Sequence, residues 1–350
     1  MMKNPKIVFQ PSRWWVRVFI LCLTLFLSSA AARAGVIDQT DDPMVIGGGA
    51  RPLGMGRAFA AIADDCDTIF INPGGLASLK APQAMIMFTT LLEDVYYREF
   101  SGTIPTDYGT AGIGYIGTGV NGVPTEGIPS DYYDNMLVLS YGTPLARIFR
   151  YGRNIFVGGN YKIFSRGWSG GLNQSAVGMS ADLGAKLVYN PYLSFGLNFQ
   201  NIVPPALGGV LTWGNGTQES LAGLAKFGIV VRPIIFDSKL LVTYDIDLPY
   251  SSVRPVTMHL GTEWKMHPNL AVRGGLDQSL DASTASGTSW NPTLGLSLEY
   301  KGIRLDYAYH PFYNYPALAT SYVSLSYIGE PSNALKGETV HPVEGGRRTH

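Results

Sequence analysis

From about residue 83 onward the chain alternates between apolar and polar positions over stretches of roughly ten residues. In 193–200, Leu193, Phe195, Leu197 and Phe199 share one face, with Ser194, Gly196, Asn198 and Gln200 on the other. The same period sets Val177, Met179, Ala181, Leu183, Ala185 and Leu187 against Gly178, Ser180, Asp182, Gly184 and Lys186. Leu294, Leu296, Leu298 and Tyr300 oppose Thr293, Gly295, Ser297 and Glu299. Ile303, Leu305, Tyr307 and Tyr309 oppose Arg304, Asp306, Ala308 and His310. Side chains of a strand point alternately to the two sides of a sheet, so each stretch predicts a strand with one apolar and one polar face. Fourteen are predicted, at 83–91, 96–104, 108–117, 135–143, 154–164, 175–188, 192–201, 222–232, 238–246, 256–266, 269–278, 291–300, 302–310 and 320–328.

A soluble antiparallel sheet and a transmembrane barrel share this alternation. Three features favour the barrel. The strands run about 9–12 residues, which suits a tilted membrane strand, whereas globular strands centre on about 5–6. Full charges stand in mid-strand on the polar faces: Lys162, Asp182, Lys186, Glu263, Arg273, Arg304 and Asp306, the set expected to face a wet lumen. Aromatic residues gather near strand ends, at Tyr96/Tyr97, Tyr132/Tyr133, Tyr189/Tyr192, Trp213, Trp290 and Phe312/Tyr313/Tyr315, as interfacial girdles do. An even strand count fits bacterial barrels. The absence of a repeat of about 40–50 residues argues against a β-propeller.

The connections alternate too. Those after strands 3, 5, 7, 9, 11 and 13 are long and rich in Gly, Ser, Pro or Asn, as in 118–134, 202–221 and 279–290. Those after strands 2, 6, 8, 10 and 12 are short, as at Asn190-Pro191, His267-Pro268 and Lys301-Gly302. Two depart: 92–95 is short and 144–153 is longish. Outer-membrane barrels have short periplasmic turns and long external loops, so both termini are expected in the periplasm.

Residues 1–34 read as a secretory leader. Lys3, Lys6, Arg13 and Arg17 precede an apolar stretch, Val18 to Leu27, and Ala32-Arg33-Ala34 is an A-x-A cleavage site. This changes the charge balance. The whole chain has 26 basic and 26 acidic residues, but the leader holds five basic residues and no acid, which leaves 21 against 26. A mildly acidic mature chain is a poor partner for nucleic acid. Only Cys66 then remains of the two cysteines, flanked by Asp64, Asp65 and Asp67, which oppose thiolate formation.

Residues 47–80 follow another pattern. A Gly-rich run, Gly47 to Gly56, leads into an Ala-rich, helix-like stretch, Arg57 to Ala63. Asp64-Asp65-Cys66-Asp67 and Ile69-Phe70-Ile71-Asn72-Pro73-Gly74-Gly75-Leu76 follow. The segment is too polar and glycine-broken to span a membrane and too apolar to hang in water. It is expected to fold inward and plug the lumen. Asn72-Pro73 predicts a turn with Gly74-Gly75, direct ligand contact being the alternative. Arg51 and the acids Asp64, Asp65 and Asp67 either pair with lumen charges such as Lys186, Arg273 or Arg304, or remain solvated. The high glycine content eases strand curvature and leaves room for a plug, and the lumen-facing glycines Gly158, Gly178, Gly184, Gly196, Gly228 and Gly261 suggest room for a passage beside it.

"GARPLGMGRAFAAIADD" (Gly49–Asp65), followed by "NPGGLASL" (Asn72–Leu79), resembles the N-terminal signature of the FadL-like outer-membrane barrels, most of all their PorV/PorQ-type branch. The resemblance implies a plug or gate motif at Gly49, Arg51, Pro52, Gly54, Met55, Gly56, Asn72, Pro73 and Gly74. It implies passive passage of small hydrophobic, fatty-acid-like molecules, or, for PorV-type members, a scaffold or shuttle for protein secretion. Gly74 stands where the transporters often carry Ala, and the loops are shorter than in long fatty-acid transporters.

Other chemistry finds little support. Gly167-Trp168-Ser169-Gly170-Gly171 fits a nucleophile elbow, but a strand rather than a helix follows it. Gly112 to Gly117 fits a dinucleotide fingerprint but lies within a strand pattern. The five histidines show no metal-ligand spacing. No catalytic residue, metal or cofactor is expected. The expected layout is an all-β, fourteen-stranded antiparallel barrel at 83–328, a leader at 1–34, a plug at 35–82 and a polar periplasmic tail at 329–350. Its setting is the outer membrane of a diderm bacterium. The expected partners are outer-membrane lipid and a small hydrophobic ligand, with secretion-system proteins for the alternative role.

Overall fold

A computed structural model of the chain describes residues 39–331, apart from 41–42, 92, 126, 150–151, 153, 237–238, 252–253, 281–286 and 312–318. The predicted leader, the aromatic cluster at 312–315 and most of the tail lie outside the described residues.

Fourteen antiparallel strands form the wall: β1 (Gln83–Leu91), β2 (Val95–Pro105), β3 (Thr110–Thr125), β4 (Ile128–Pro144), β5 (Ile155–Gly170), β6 (Gln174–Asn190), β7 (Leu193–Gln200), β8 (Leu224–Val231), β9 (Leu240–Pro249), β10 (Thr257–His267), β11 (Leu270–Leu280), β12 (Thr288–Tyr300), β13 (Ile303–His310) and β14 (Thr320–Ile328). Each pairs with its neighbour in sequence, and β14 pairs with β1 from Val323↔Phe88 to Ile328↔Gln83, which closes the barrel. Closure leaves none of these strands as an open edge. The period-two pattern is inside out relative to a water-soluble sheet. Along β13, Ile303, Leu305, Tyr307 and Tyr309 are exposed while Arg304, Asp306, Ala308 and His310 are buried. Ser194, Asn198 and Gln200 are likewise buried on β7, with Phe195 exposed.

Connections after odd-numbered strands gather at one end, the loop end, and those after even-numbered strands at the other, the turn end. The strand count holds, but several connections differ from expectation. The 118–134 loop is mostly strand, because β3 and β4 run on to Thr125 and back from Ile128. β5 and β6 are similarly extended, at 16 and 17 residues. The 202–221 loop holds a hairpin, Val210–Trp213 with Gln218–Leu221, whose first strand pairs with β6 beyond the end of the short β7. The 144–153 turn contains a short helix, Leu145–Phe149.

The first described residues, Gln39–Thr40, pair in parallel with Ser220–Leu221 of that hairpin. The described chain thus begins at the loop end and runs through the barrel to reach β1 at the turn end. Alternation along the strands says nothing about the path taken before them. Tyr97 also departs from the girdle pattern, being buried with its hydroxyl donating to the Gly47 carbonyl at 2.7 Å.

Candidate functional site

Residues 43–81 form an inner segment with little regular structure. It holds short helical turns at Pro43–Ile46, Ala50–Leu53, Thr68–Ile71 and Pro73–Ser78. The expected helix over Arg57–Ala63 is absent. Arg57 and Ala63 take positive φ of 65° and 32°, and the Phe59 and Ala60 N–H groups donate to Asp245 on β9 at 2.8 and 2.7 Å. The positive φ at both ends confines the stretch to a single turn, closed by the Ala63 N–H on the Phe59 carbonyl at 3.0 Å, and the wall carboxylate holds its leading donors. Met55, Phe59, Ile62, Ile69 and Leu76 are fully buried, against an inner wall that is locally apolar at Met85, Met87, Ile116, Met136 and Phe164.

The wall glycines explain how the segment fits. A Cβ at Gly158 or Gly184 would strike Pro73 or Gly74, at Gly196 or Gly228 it would strike Ala60 or Ala61, and at Gly261 it would strike Met55. These positions are filled by segment backbone and do not form an open passage. Gly178 instead abuts Val210 and Leu211 of the loop-end hairpin. The fit is reciprocal: a Cβ on Gly74 would meet the Ala185 backbone at 2.7 Å, which leaves no room for alanine here. Next to it, the buried Asn72 accepts from the Gly74 N–H at 3.1 Å. Its amide donates to the carbonyls of Ala60 at 2.7 Å and Ala185 at 3.0 Å. Asn72 and Pro73 therefore brace a turn against β6.

Charges also join segment and wall. The Arg51 guanidinium meets Glu263 through two nitrogens at 2.8 and 2.9 Å, and also Asp64 at 2.6 Å and Asp65 at 2.7 Å. Arg273 joins Glu263 at 2.6 Å to Asp306 at 2.9 Å. Arg304 joins Asp306 at 2.7 Å to Asp65 at 3.0 Å. Ser297 adds a hydrogen bond to Asp306. Buried charge is tolerable when paired and hydrogen-bonded in this way. Lys186 donates to the segment carbonyls of Ile62 and, at 2.9 Å, Ala63. Lys162 and Asp182 pair at 2.8 Å within the wall. All seven mid-strand charges thus face inward and are buried. Of the segment acids, Asp65 reaches a wall arginine, whereas Asp67 does not use one.

Asp67 lies against Gly49, whose φ of 72° and lack of a Cβ admit the carboxylate. Its Oδ2 is buried without a hydrogen-bond partner, and burial together with Asp65 and Glu99 pushes the Asp67 pKa well up. Glu99 on β2 accepts from the Gly49 N–H at 3.0 Å. The Cys66 thiol is pushed up by burial and by Asp67 and Asp65, which keeps it unreactive.

A cavity of about 540 Å³ lies between the segment and the loop end. Its floor is Gly47, Gly48, Pro52, Leu53, Arg57, Phe70 and Ile71, and its rim includes Leu91, Val95, Leu224, Pro249 and Leu280. Its polar lining includes Lys226, Asp247, Arg254, Asp277, His310 and Tyr322. Arg57 pairs with Asp277 at 3.1 Å, and Lys226 with Asp247. Asp277 also meets His259 at 2.7 Å and His310 at 2.8 Å. Arg57, Asp245, Asp247, Asp277 and Glu99 escaped the sequence reading as site residues. Parity was the available signal for the four acids, since each shares a face with other polar residues of its strand. Arg57 offered none.

No model of a protein family matches the chain, and no curated protein matches it in sequence. Solved structures do match it in fold. The CymD monoaromatic hydrocarbon channel superposes with a TM-score of 0.57 at 13% identity, over 81% of this chain and 98% of its own. The toluene transporter TbuX of Ralstonia pickettii gives 0.56 at 12% identity, over 81% and 98%. A FadL homologue from Pseudomonas aeruginosa gives 0.51 at 12% identity, over 85% and 99%. At such identities the likeness is one of architecture, a closed fourteen-stranded antiparallel barrel.

Proposed function

We propose that this chain is a passive outer-membrane channel, FadL-like in architecture, for small hydrophobic molecules. The observation that carries the reading is the largely apolar cavity of about 540 Å³ set inside a barrel whose outer surface is itself apolar. A concave apolar site with a few polar groups is the usual form of a small-molecule site. The pairs Arg57–Asp277 and Lys226–Asp247 already neutralise cavity charges, which favours an uncharged solute. In this reading the inner segment is the plug, the loop end faces the exterior, and the turn end and the polar tail face the periplasm. The non-enzymatic role and the lipid contact follow from the same reading.

The test uses vesicles whose outer leaflet is lipopolysaccharide, which resists apolar solutes. N-phenyl-1-naphthylamine, a neutral probe, is expected to enter several-fold faster when the protein is present. Its sulfonated counterpart, 1-anilinonaphthalene-8-sulfonate, is expected to gain little. Equal entry of the neutral probe with and without protein would overturn the channel. Capture of a protein partner by crosslinking from the loop end, with no gain in entry, would instead support a PorV-type secretion scaffold.

A further inference from the structure

The floor of the cavity is uneven in how it is held. Residue 51 is fixed through its guanidinium to Glu263, Asp64 and Asp65, and residues 59 and 60 are fixed through their N–H groups to Asp245. Between these two anchors, residues 52–58 form a compact loop closed largely on itself. The Arg57 N–H donates to the Pro52 carbonyl at 2.9 Å, the Met55 N–H to the same carbonyl at 3.0 Å, and the Ala58 N–H to the Met55 carbonyl at 3.2 Å. The loop contains two successive left-handed residues, Gly56 with φ of 61° and Arg57 with φ of 65°. That conformation is natural for glycine and unfavourable for arginine, and such strain gathers at clamps and switches.

The wall behind the loop is partly bare, with Thr293 donating to the Gly54 carbonyl at 3.2 Å. Gly261 on β10 and Gly275 on β11 stand directly opposite each other, with Thr293 next in that row on β12 and Gly295 one row further along, opposite Arg273. Met55, Gly56 and Gly54 press their backbones into these gaps. Withdrawal of the loop leaves a gap at Gly261 and Gly275, edged by the side chains of Thr293 and Arg273, that opens from the cavity floor. On the cavity side Arg57 reaches across to Asp277, whose second oxygen is held by His310.

We propose that residues 52–58 are a hinged flap closing the cavity floor against β10–β12, and that the Arg57–Asp277 ion pair is its latch. This deepens the channel reading and rests on it. Arg57 acts as a positioning residue: it holds a strained bend shut, and its release opens the gap at Gly261 and Gly275 to a neutral apolar solute.

Two measurements on the full mature chain test the latch. In the vesicle assay, Arg57→Gly removes the latch while tolerating the left-handed φ, and is expected to raise entry of N-phenyl-1-naphthylamine at least threefold over the unaltered protein. Arg57→Lys keeps a cation at this site and is expected to stay near the unaltered rate. An Arg57→Gly rate equal to that of the unaltered protein, itself above protein-free vesicles, would overturn the flap and leave the channel standing. The second readout needs no transport. Met55→Cys in a Cys66→Ala background places a thiol on the wall side of the loop, and a polar maleimide is expected to modify it at least tenfold faster when Arg57→Gly is added. Equal modification rates would overturn the latch whatever the vesicles report, and entry equal to that of protein-free vesicles would count against the channel alone.

Discussion

Arg51 is the hub of a buried charge network that joins segment and wall. It joins two acids of its own segment to Glu263 on the wall, and Glu263 leads on through Arg273 and Asp306 to Arg304. Removing one partner of a buried charge network leaves the others uncompensated, at about 3–5 kcal/mol. Arg51→Ala is expected near the lower limit, because Arg273 and Arg304 still reach Glu263 and Asp65. Urea unfolding in detergent micelles measures it. Asp67 makes the opposite prediction. Its folded pKa lies above the unfolded value of about 3.9, so folding takes up a proton between the two. The associated stability is complete below the unfolded pKa and is lost as pH rises through the folded one. The Asp67 contribution to urea resistance is therefore expected to fall from acid toward alkaline pH. Asp67→Asn is expected to flatten that slope and gain most at high pH. Equal slopes would place the proton elsewhere.

The inner segment and the wall depend on each other unequally. The wall is held by strand pairing and closure, which need no contact from the segment. The segment has no long helix or paired hairpin of its own and takes its shape from wall donors, acceptors and glycine gaps. Gly196→Val puts side-chain carbons against the Ala60 carbonyl and is expected to displace residues 58–62 from Asp245. The far-ultraviolet sheet signal should persist while the segment becomes cleavable by added protease. Joint loss of both would show that the wall needs the segment to close. This asymmetry explains what was legible at this scale. All fourteen wall strands were readable, because each carries its own alternation. The helix expected at Arg57–Ala63 is absent, because Arg57 and Ala63 take positive φ and only one turn closes between them, its leading N–H groups held by Asp245, nearly two hundred residues away. The extension of β3–β6 was hidden because their outer halves mix glycine and polar residues that also suit loops.

At the scale of the whole molecule, the surface reverses the usual sorting of residues. Leu296, Leu298, Leu305 and Leu325 are exposed on neighbouring strands, while charged residues fill the interior. Lipid is the environment that makes such a surface favourable. Leu296→Arg is expected to cost about 2–4 kcal/mol in lipid if this position lies near the bilayer midplane. The arginine would cost little on a water-facing sheet, so urea unfolding from lipid vesicles checks the outer-membrane reading directly. The sequence by itself determined the strands, their number and which face of each is polar, because alternation is a local property of the strand backbone. It also indicated that residues 47–80 were neither a membrane span nor a free tail. Tertiary structure decided that the lumen glycines seat a buried segment, that Arg51 meets Glu263, that Asp277 holds Arg57, and that the described chain begins at the loop end. Those outcomes depend on barrel register and on the path of an aperiodic segment through the lumen. Parity names the residues that face inward; only closure of the barrel brings them to their partners.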